Sequence, residues 1–250
     1  QLSLTRRINR PRGPRINPFR NMTDSTNIEY GNPNLLPTFT ASYELNHIKT
    51  WARHSLASSI YYKEADDVIQ RVRTLIIPEV GNEYLETTYS NILSRKNAGI
   101  EISAKNKIYK NLDITSSIDG YYSYLSENKE YNIPAAESFS WSFKLIGSMI
   151  LPQGITAQLT GRYRTSELVS QGQTKEFYTL DLGLRKTFKS GWIINAGVRD
   201  ILDSRKDRTI SYGPNFYQEN LNHRRGRIFS INISYGFGNI KDKNNKKTKS

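Results

Sequence analysis

Gly31-Asn32-Pro33-Asn34-Leu35-Leu36-Pro37 runs directly into Thr38-Phe39-Thr40-Ala41-Ser42-Tyr43-Glu44-Leu45-Asn46-His47-Ile48. The first part is turn chemistry. Neither Pro33 nor Pro37 can donate to a sheet ladder, so both hold the chain outside a sheet. The second part switches at once to a period of two. Phe39, Ala41, Tyr43 and Leu45 lie on one side, and Thr38, Thr40, Ser42, Glu44 and Asn46 on the other. That pattern is a strand with one apolar and one polar face.

Outward from this strand the same design repeats. Gln1 to Ile8 reads as a strand that enters a long polar segment, Asn9 to Pro37. His54 to Lys63, Arg95 to Lys107, Leu112 to Leu125, Ser138 to Leu151, Ile155 to Thr165, Glu176 to Phe188, Trp192 to Leu202 and Arg227 to Phe237 each alternate in the same way, which makes about ten strands. Glu64 to Ser94 reads as a long connection, within which Val68 to Ile77 can extend the strands as a hairpin above the sheet. Connections after the second, fourth, sixth and eighth strands are short, and those after the odd strands are long. Strands of this length suit a tilted membrane crossing. Alternating short and long connections predict an all-β, antiparallel up-and-down transmembrane β-barrel rather than a soluble sandwich.

Composition agrees. Only 36% of residues are hydrophobic, Tyr (16) far outnumbers Met (2), and no sustained helical periodicity is visible. The longest near-apolar run, Leu145 to Leu151, is too short for a membrane helix. With no cysteine, the chain has no disulfide scaffold, no thiolate metal site and no Cys nucleophile. The net charge of +13 reads as solvated loops and a basic tail, since the only real cluster is Lys241 to Lys249. Nucleic-acid binding would need cations gathered on one element among stacking aromatics. The chain begins with Gln1, already within a strand, and the expectation is a fragment of a longer protein.

The polar faces carry Glu44, Glu101, Lys105, Asp113, Asp119, Arg162, Arg164, Asp181, Arg185 and Arg199. Burying such ions unpaired in a dry core costs on the order of several kcal/mol each, whereas a watered or plugged lumen removes most of that cost. Aromatic residues gather at strand ends. Phe39, Tyr62, Tyr122, Tyr124, Phe139, Trp141 and Tyr163 lie toward the long connections, and Phe188, Trp192 and Phe237 toward the short ones. Two belts of this kind mark two membrane interfaces, although strand propensity alone also favours aromatic residues.

Several segments carry a resemblance to a known family. Arg6-Arg7-Ile8-Asn9-Arg10-Pro11, Asn17-Pro18-Phe19, the Gly31–Pro37 element and Tyr43-Glu44-Leu45 resemble the signature of TonB-dependent outer-membrane receptors, most closely the outer-membrane β-barrel family of Bacteroidetes-type bacteria. Val198-Arg199-Asp200-Ile201-Leu202-Asp203 resembles that superfamily's segment before the last extracellular loop. Phe229, Ile231, Ile233, Tyr235 and Phe237 resemble its barrel-assembly signal. The resemblance implies a plugged barrel of about 22 strands, of which residues 1–237 would be the C-terminal portion and 238–250 a basic periplasmic tail. It also implies the partners: outer-membrane lipid and lipopolysaccharide, the TonB complex through an upstream plug and TonB box, and the barrel-assembly machinery. No nucleic acid is expected.

Site chemistry is sparse. His47, His54 and His223 are scattered, Asp66-Asp67 supplies far fewer oxygens than calcium needs, and no Gly-x-Ser-x-Gly, P-loop or HExxH pattern occurs. The expectation is no catalytic residue, no metal and no cofactor. The ligand-contact candidates are Arg10, Arg12, Arg15 and Arg20 with Phe19, because guanidinium forks suit carboxylates and phosphates. Loop solubility together with contacts to neighbouring loops explains the same residues and is the favoured reading, and the same holds for Arg224, Arg225 and Arg227. The expected function is a fragment of an outer-membrane TonB-dependent receptor taking up a siderophore, glycan or other nutrient. The alternatives are a non-transporting barrel for adhesion or surface assembly, a soluble β protein that binds polyanions, and a small closed barrel with enzymatic activity.

Overall fold

The computed structural model describes residues 1–223 and 226–236. In chain order its elements are β1 (Leu2–Asn9), α1 (Gly13–Ile16), β2 (Asn27–Glu29), β3 (Thr38–Trp51), β4 (His54–Ile76), β5 (Tyr84–Tyr109), β6 (Leu112–Leu125), β7 (Ala136–Leu151), β8 (Ile155–Arg164), β9 (Glu167–Val169), β10 (Gly172–Thr174), β11 (Phe177–Thr187), β12 (Trp192–Arg199), β13 (Lys206–Gly213), β14 (Phe216–His223) and β15 (Ile228–Tyr235). The ten expected strands are β1, β3 to β8, β11, β12 and β15. They pair in sequence as antiparallel neighbours, and β2 adds a short parallel pairing to β5. The sheet is not closed, since β1 and β15 are its two edges.

The registers carry one continuous stripe across the sheet. Leu4 opposes Tyr43, Tyr43 opposes Tyr62, Tyr62 opposes Ala98, Ala98 opposes Tyr122 and Tyr122 opposes Phe139. At the far side Val198 opposes both Leu182 and Phe229. None of these apolar residues is buried by protein. Phe229 and Ile231 are 73% and 75% exposed, and the stripe residues of every other strand include large exposed hydrophobics. Apolar surface this extensive and contiguous does not stay in water; the stripe faces lipid. The opposite face is polar, with Glu101 opposite Asp119 and Asp181 opposite Thr160. No apolar core lies beneath the sheet among the described residues.

The hydrophobic cluster that does exist sits beyond the long-connection end. Val72, Ile92, Leu93 and Ile133 are buried together, with Tyr131 packed against them. It forms because β4 and β5 continue well past the membrane stripe. The segment expected as a connection, Glu64 to Ser94, is mostly strand. The hairpin extension from Val68 is present, and Tyr84 to Ser94 completes it. Asp67, at φ 53°, is the break between the two zones, with the register shifting between Ala65 and Val68. A β-bulge adds a residue and turns the rest of its strand in a new direction. Above it Val72 turns into loop packing instead of toward lipid.

Two further long connections, Ser166 to Lys175, which reads as a loop in the sequence, and Asp203 to Gly226, which reads as a long polar stretch, contain strands. Ser166 to Lys175 contains the β9–β10 hairpin, and Asp203 to Gly226 contains the β13–β14 hairpin. Together they make a four-stranded sheet, ordered β14-β13-β10-β9. Its side chains are largely polar and its strands short, so the sequence shows no amphipathic period there. The sheet docks on the β4–β5 hairpin. Gln171 is buried; its Oε1 accepts from the Arg73 N–H at 2.8 Å and its amide donates to the Arg73 carbonyl at 3.0 Å. An Arg73 guanidinium N–H also donates to Ser211 Oγ at 3.1 Å.

Candidate functional site

The proline-rich stretch that precedes β3 is a clasp. The Gly31 N–H donates to the Asn17 carbonyl and the Asn32 N–H to the Arg15 carbonyl, both at 2.7 Å. The Asn32 amide donates to the Tyr89 carbonyl at 3.0 Å, and the Leu36 N–H to Asn91 Oδ1 at 2.8 Å. Asn91 in turn donates to the carbonyls of Leu36 and Asp67. Leu35 is buried. The stretch therefore ties the first long connection to α1 on one side and to β5 on the other.

The candidate arginines divide on this clasp. The Arg15 guanidinium lies 5.5 Å from the Tyr89 ring centroid, and Tyr89 donates to Glu29, which also pairs with Arg71. Arg20 pairs with Glu86 at 2.5 Å and lies over Tyr30. Arg10, Arg12 and Phe19 are exposed. Arg15 and Arg20 thus serve the loop's own cohesion, and the five residues do not converge on one point. Arg227 donates to the Ile201 carbonyl at 2.6 Å. Arg224, Arg225, Phe237 and the tail 238–250 lie outside the described residues. Phe229, Ile231, Ile233 and Tyr235 stand on one face of the edge strand β15.

A concave site that the sequence did not single out opens where the polar face meets the long connections. It has a volume of about 810 Å³, and its lining includes Arg162, Thr179, Asp181, Arg199, Asp200 and His223. A second groove of about 650 Å³ runs down the polar face past Gln158, Arg185 and Asn195. Both include Arg162, Asp181 and Arg199, so the mouth is continuous with the wall groove. Arg162 donates to Asp181 Oδ2 at 2.6 Å, while Asp181 Oδ1 accepts the Asp200 N–H at 2.9 Å. Arg199 has no ion pair among the described residues and is exposed toward this space. A polar groove lined by Arg162, which is paired, and by Arg185, Arg199 and Arg205, which form no ion pair among the described residues, can hold water and an anionic group. Among the described residues no group of three His, Cys, Asp or Glu side chains stands close enough to hold a metal.

Asp200 builds the rim of this site. It sits at φ 51° just past β12, and Asp is one of the few side-chain-bearing residues that tolerate that region. Its Oδ1 accepts from the Ser204 N–H and hydroxyl, and its Oδ2 from the Arg205 N–H at 2.9 Å. Burial works against the charged carboxylate, but the donors from Arg205 and Ser204 outweigh it and hold the group below the usual carboxylate range. A depressed carboxylate stabilises the fold above its unfolded pKa, near 4, and loses that contribution as pH falls through the lower folded value. Asp200→Asn replaces one acceptor oxygen by a donor, and removing bonds to a charged group costs about 1.5–3 kcal/mol. Hydrogen exchange at residues 203–206 is expected to accelerate in this variant at neutral pH. In the wild type it should accelerate only below the ordinary aspartate range.

The family model described as "Outer membrane protein beta-barrel family" matches residues 1–235. No curated protein sequence matches the chain. Among solved structures, the chain is similar to the ferric yersiniabactin uptake receptor FyuA from Yersinia pestis, with a TM-score of 0.58 and 16% identity over 82% of this chain and 31% of that one. It is also similar to the copper transporter OprC, with a TM-score of 0.59 and 12% identity over 94% of this chain and 38% of that one. At such identities the likeness is one of fold. The chain spans about a third of the length of these structures.

Proposed function

Because this chain belongs to the outer membrane protein beta-barrel family, and its place is therefore the bacterial outer membrane, we propose that it forms part of the wall and mouth of a TonB-dependent receptor. In this proposal the long connections capture a nutrient such as a siderophore or glycan. A plug encoded upstream then rearranges when TonB, driven by the inner-membrane proton-motive force, pulls on it. The described strands are the C-terminal portion of the barrel, and the source is a Bacteroidetes-type bacterium. Lipopolysaccharide contacts the outer stripe, and the exposed apolar face of β15 is read by the barrel-assembly machinery. The chain itself catalyses no reaction.

One observation carries this proposal: the mouth site and the polar wall groove are continuous through Arg162, Asp181 and Arg199. A path lined by polar groups suits passage of a hydrated solute, and a purely adhesive barrel has no need of one. The fold similarity to FyuA and OprC supports the same direction. The alternative of a soluble polyanion-binding protein does not fit an outer-membrane family or a lipid-facing stripe.

The test uses the full-length protein. It is expected to retain the periplasmic domain of TonB in pull-downs and to support solute uptake that stops when the proton-motive force is collapsed. Absence of TonB binding, together with uptake unaffected by an uncoupler, would instead identify a non-transporting barrel for adhesion or surface assembly.

A further inference from the structure

We propose that the short-turn end of the sheet is a docking rim for the headgroups of anionic phospholipids in the adjoining leaflet. Lys49 and Arg53 flank the turn between β3 and β4, Lys107 and Lys110 that between β5 and β6, and Lys186 and Lys189 that between β11 and β12. All but Lys186 are exposed, and none of the six forms an ion pair among the described residues. The acid nearest these turns, Asp113, is the register partner of Lys107 on the polar face, so the rim rests on the other five cations.

Three features separate this rim from an ordinary solvated edge. The first is the apolar level just beside it. Trp51, Tyr109 and Trp192 are exposed there, and Trp192 packs on Tyr235 at 4.7 Å. Such rings sit at the headgroup level of a bilayer. The second is the placement of Lys186, whose Nζ lies 5.0 Å from the Phe188 ring centroid. Its amine is thereby held over the aromatic band on the apolar side of the strand, at the level where headgroups begin. The third is asymmetry along the strands. At the long-connection end both signs are present and paired, Lys63 with Glu44 at 3.7 Å and Lys96 with Glu64 at 3.1 Å, whereas the short turns carry almost only cations. Charge added only for solubility would mix both signs at both ends.

The cations are spread over separate turns and do not converge on one point. That distribution suits a plane of headgroups better than a single free phosphate ion. Basic residues held at a membrane surface attract anionic lipid within about a Debye length, so the rim would also bias the depth at which the strands sit.

The test reconstitutes the full-length protein in nanodiscs of mixed phosphatidylethanolamine and phosphatidylglycerol and measures co-retained lipid by native mass spectrometry. Wild type is expected to enrich phosphatidylglycerol about fivefold or more, given roughly 1 kcal/mol per well-placed cation. The combined variant Lys49→Gln, Arg53→Gln, Lys110→Gln, Lys186→Gln and Lys189→Gln should lose the enrichment. Its arginine-substituted counterpart at the four lysines should keep it, which separates charge from misfolding. Removing Arg6, Arg10 and Arg12 at the other end should leave the enrichment intact. No enrichment in wild type, equal loss from either end, or displacement of the lipid by millimolar inorganic phosphate would each overturn the proposal.

Discussion

Gly31→Ala is expected to open the first long connection while leaving the sheet folded. A Cβ at position 31 would lie 2.6 Å from both the carbonyl carbon and the oxygen of Arg15, and 2.7 Å from the Asn17 nitrogen. All three are backbone atoms, so no rotamer change relieves the clash. The clasp must instead retreat from α1, which breaks the Gly31–Asn17 and Asn32–Arg15 hydrogen bonds. Two such bonds at about 0.5–1.5 kcal/mol each, together with overpacking of about 1–3 kcal/mol, give a local loss of roughly 2–6 kcal/mol. Limited proteolysis between residues 9 and 37 should accelerate by at least tenfold, while the heat-dependent gel shift of the folded barrel stays unchanged. Gly13→Ala is the control, because a methyl group there would have nothing within 4 Å. Equal behaviour of the two variants would remove the clasp from the account.

Ile102→Arg is expected to cost far more than Ser103→Arg, although the two are sequence neighbours. Ile102 lies on the apolar stripe between Ser58 and Ile118, midway between Arg95 and Tyr109 on β5. A cation at the bilayer midplane on the lipid face of a barrel costs about 2–4 kcal/mol. Ser103 points to the polar face between Ala57 and Ser117, where water or polar groups can solvate the guanidinium. Urea titration of the full-length protein refolded into vesicles should show the first variant destabilised by that amount and the second by less than about 1 kcal/mol. Equal costs would mean that the stripe does not face lipid.

The two variants act on different zones. Ile102→Arg concerns the membrane sheet, where each residue has one neighbour in lipid and the next in the lumen. Gly31→Ala concerns the region beyond the sheet, where distant connections pack on one another around Val72, Ile92, Leu93 and Ile133. A lesion in the second zone need not propagate to the first, because the ladders of β3 to β8 do not depend on the clasp. The mouth site around Asp200 belongs to the second zone by its turn and to the first by its contact with Asp181, so it can pass a change in the loops to the wall.

Alternation along the chain was enough to define the membrane sheet. Each of the ten strands overlaps the stretch expected for it, and Leu112 to Leu125 has the same bounds, but β4 and β5 run well past their expected ends and the strand expected through Leu202 stops at Arg199, where Asp200 turns the chain. The reason is local: every second residue meets lipid and the others meet a polar interior, so each strand records its own orientation. The lipid-facing aromatic ends and the inward ions follow from the same rule. The region above the sheet took its form from long-range contacts. The bulge at Asp67, the buried Gln171 bonded to the backbone of Arg73, and the loop sheet of β9, β10, β13 and β14 join segments up to about a hundred residues apart. They do so through single polar side chains that have no period to read. The arginines obey the same logic. In the sequence Arg15 and Arg20 read either as ligand forks or as loop cations in contact with neighbouring segments, and only the structure shows which segments those are, by bringing Tyr89 and Glu86 beside them. Arg162, Asp181 and Arg199 come together as a site because neighbouring strands set them side by side on the polar face.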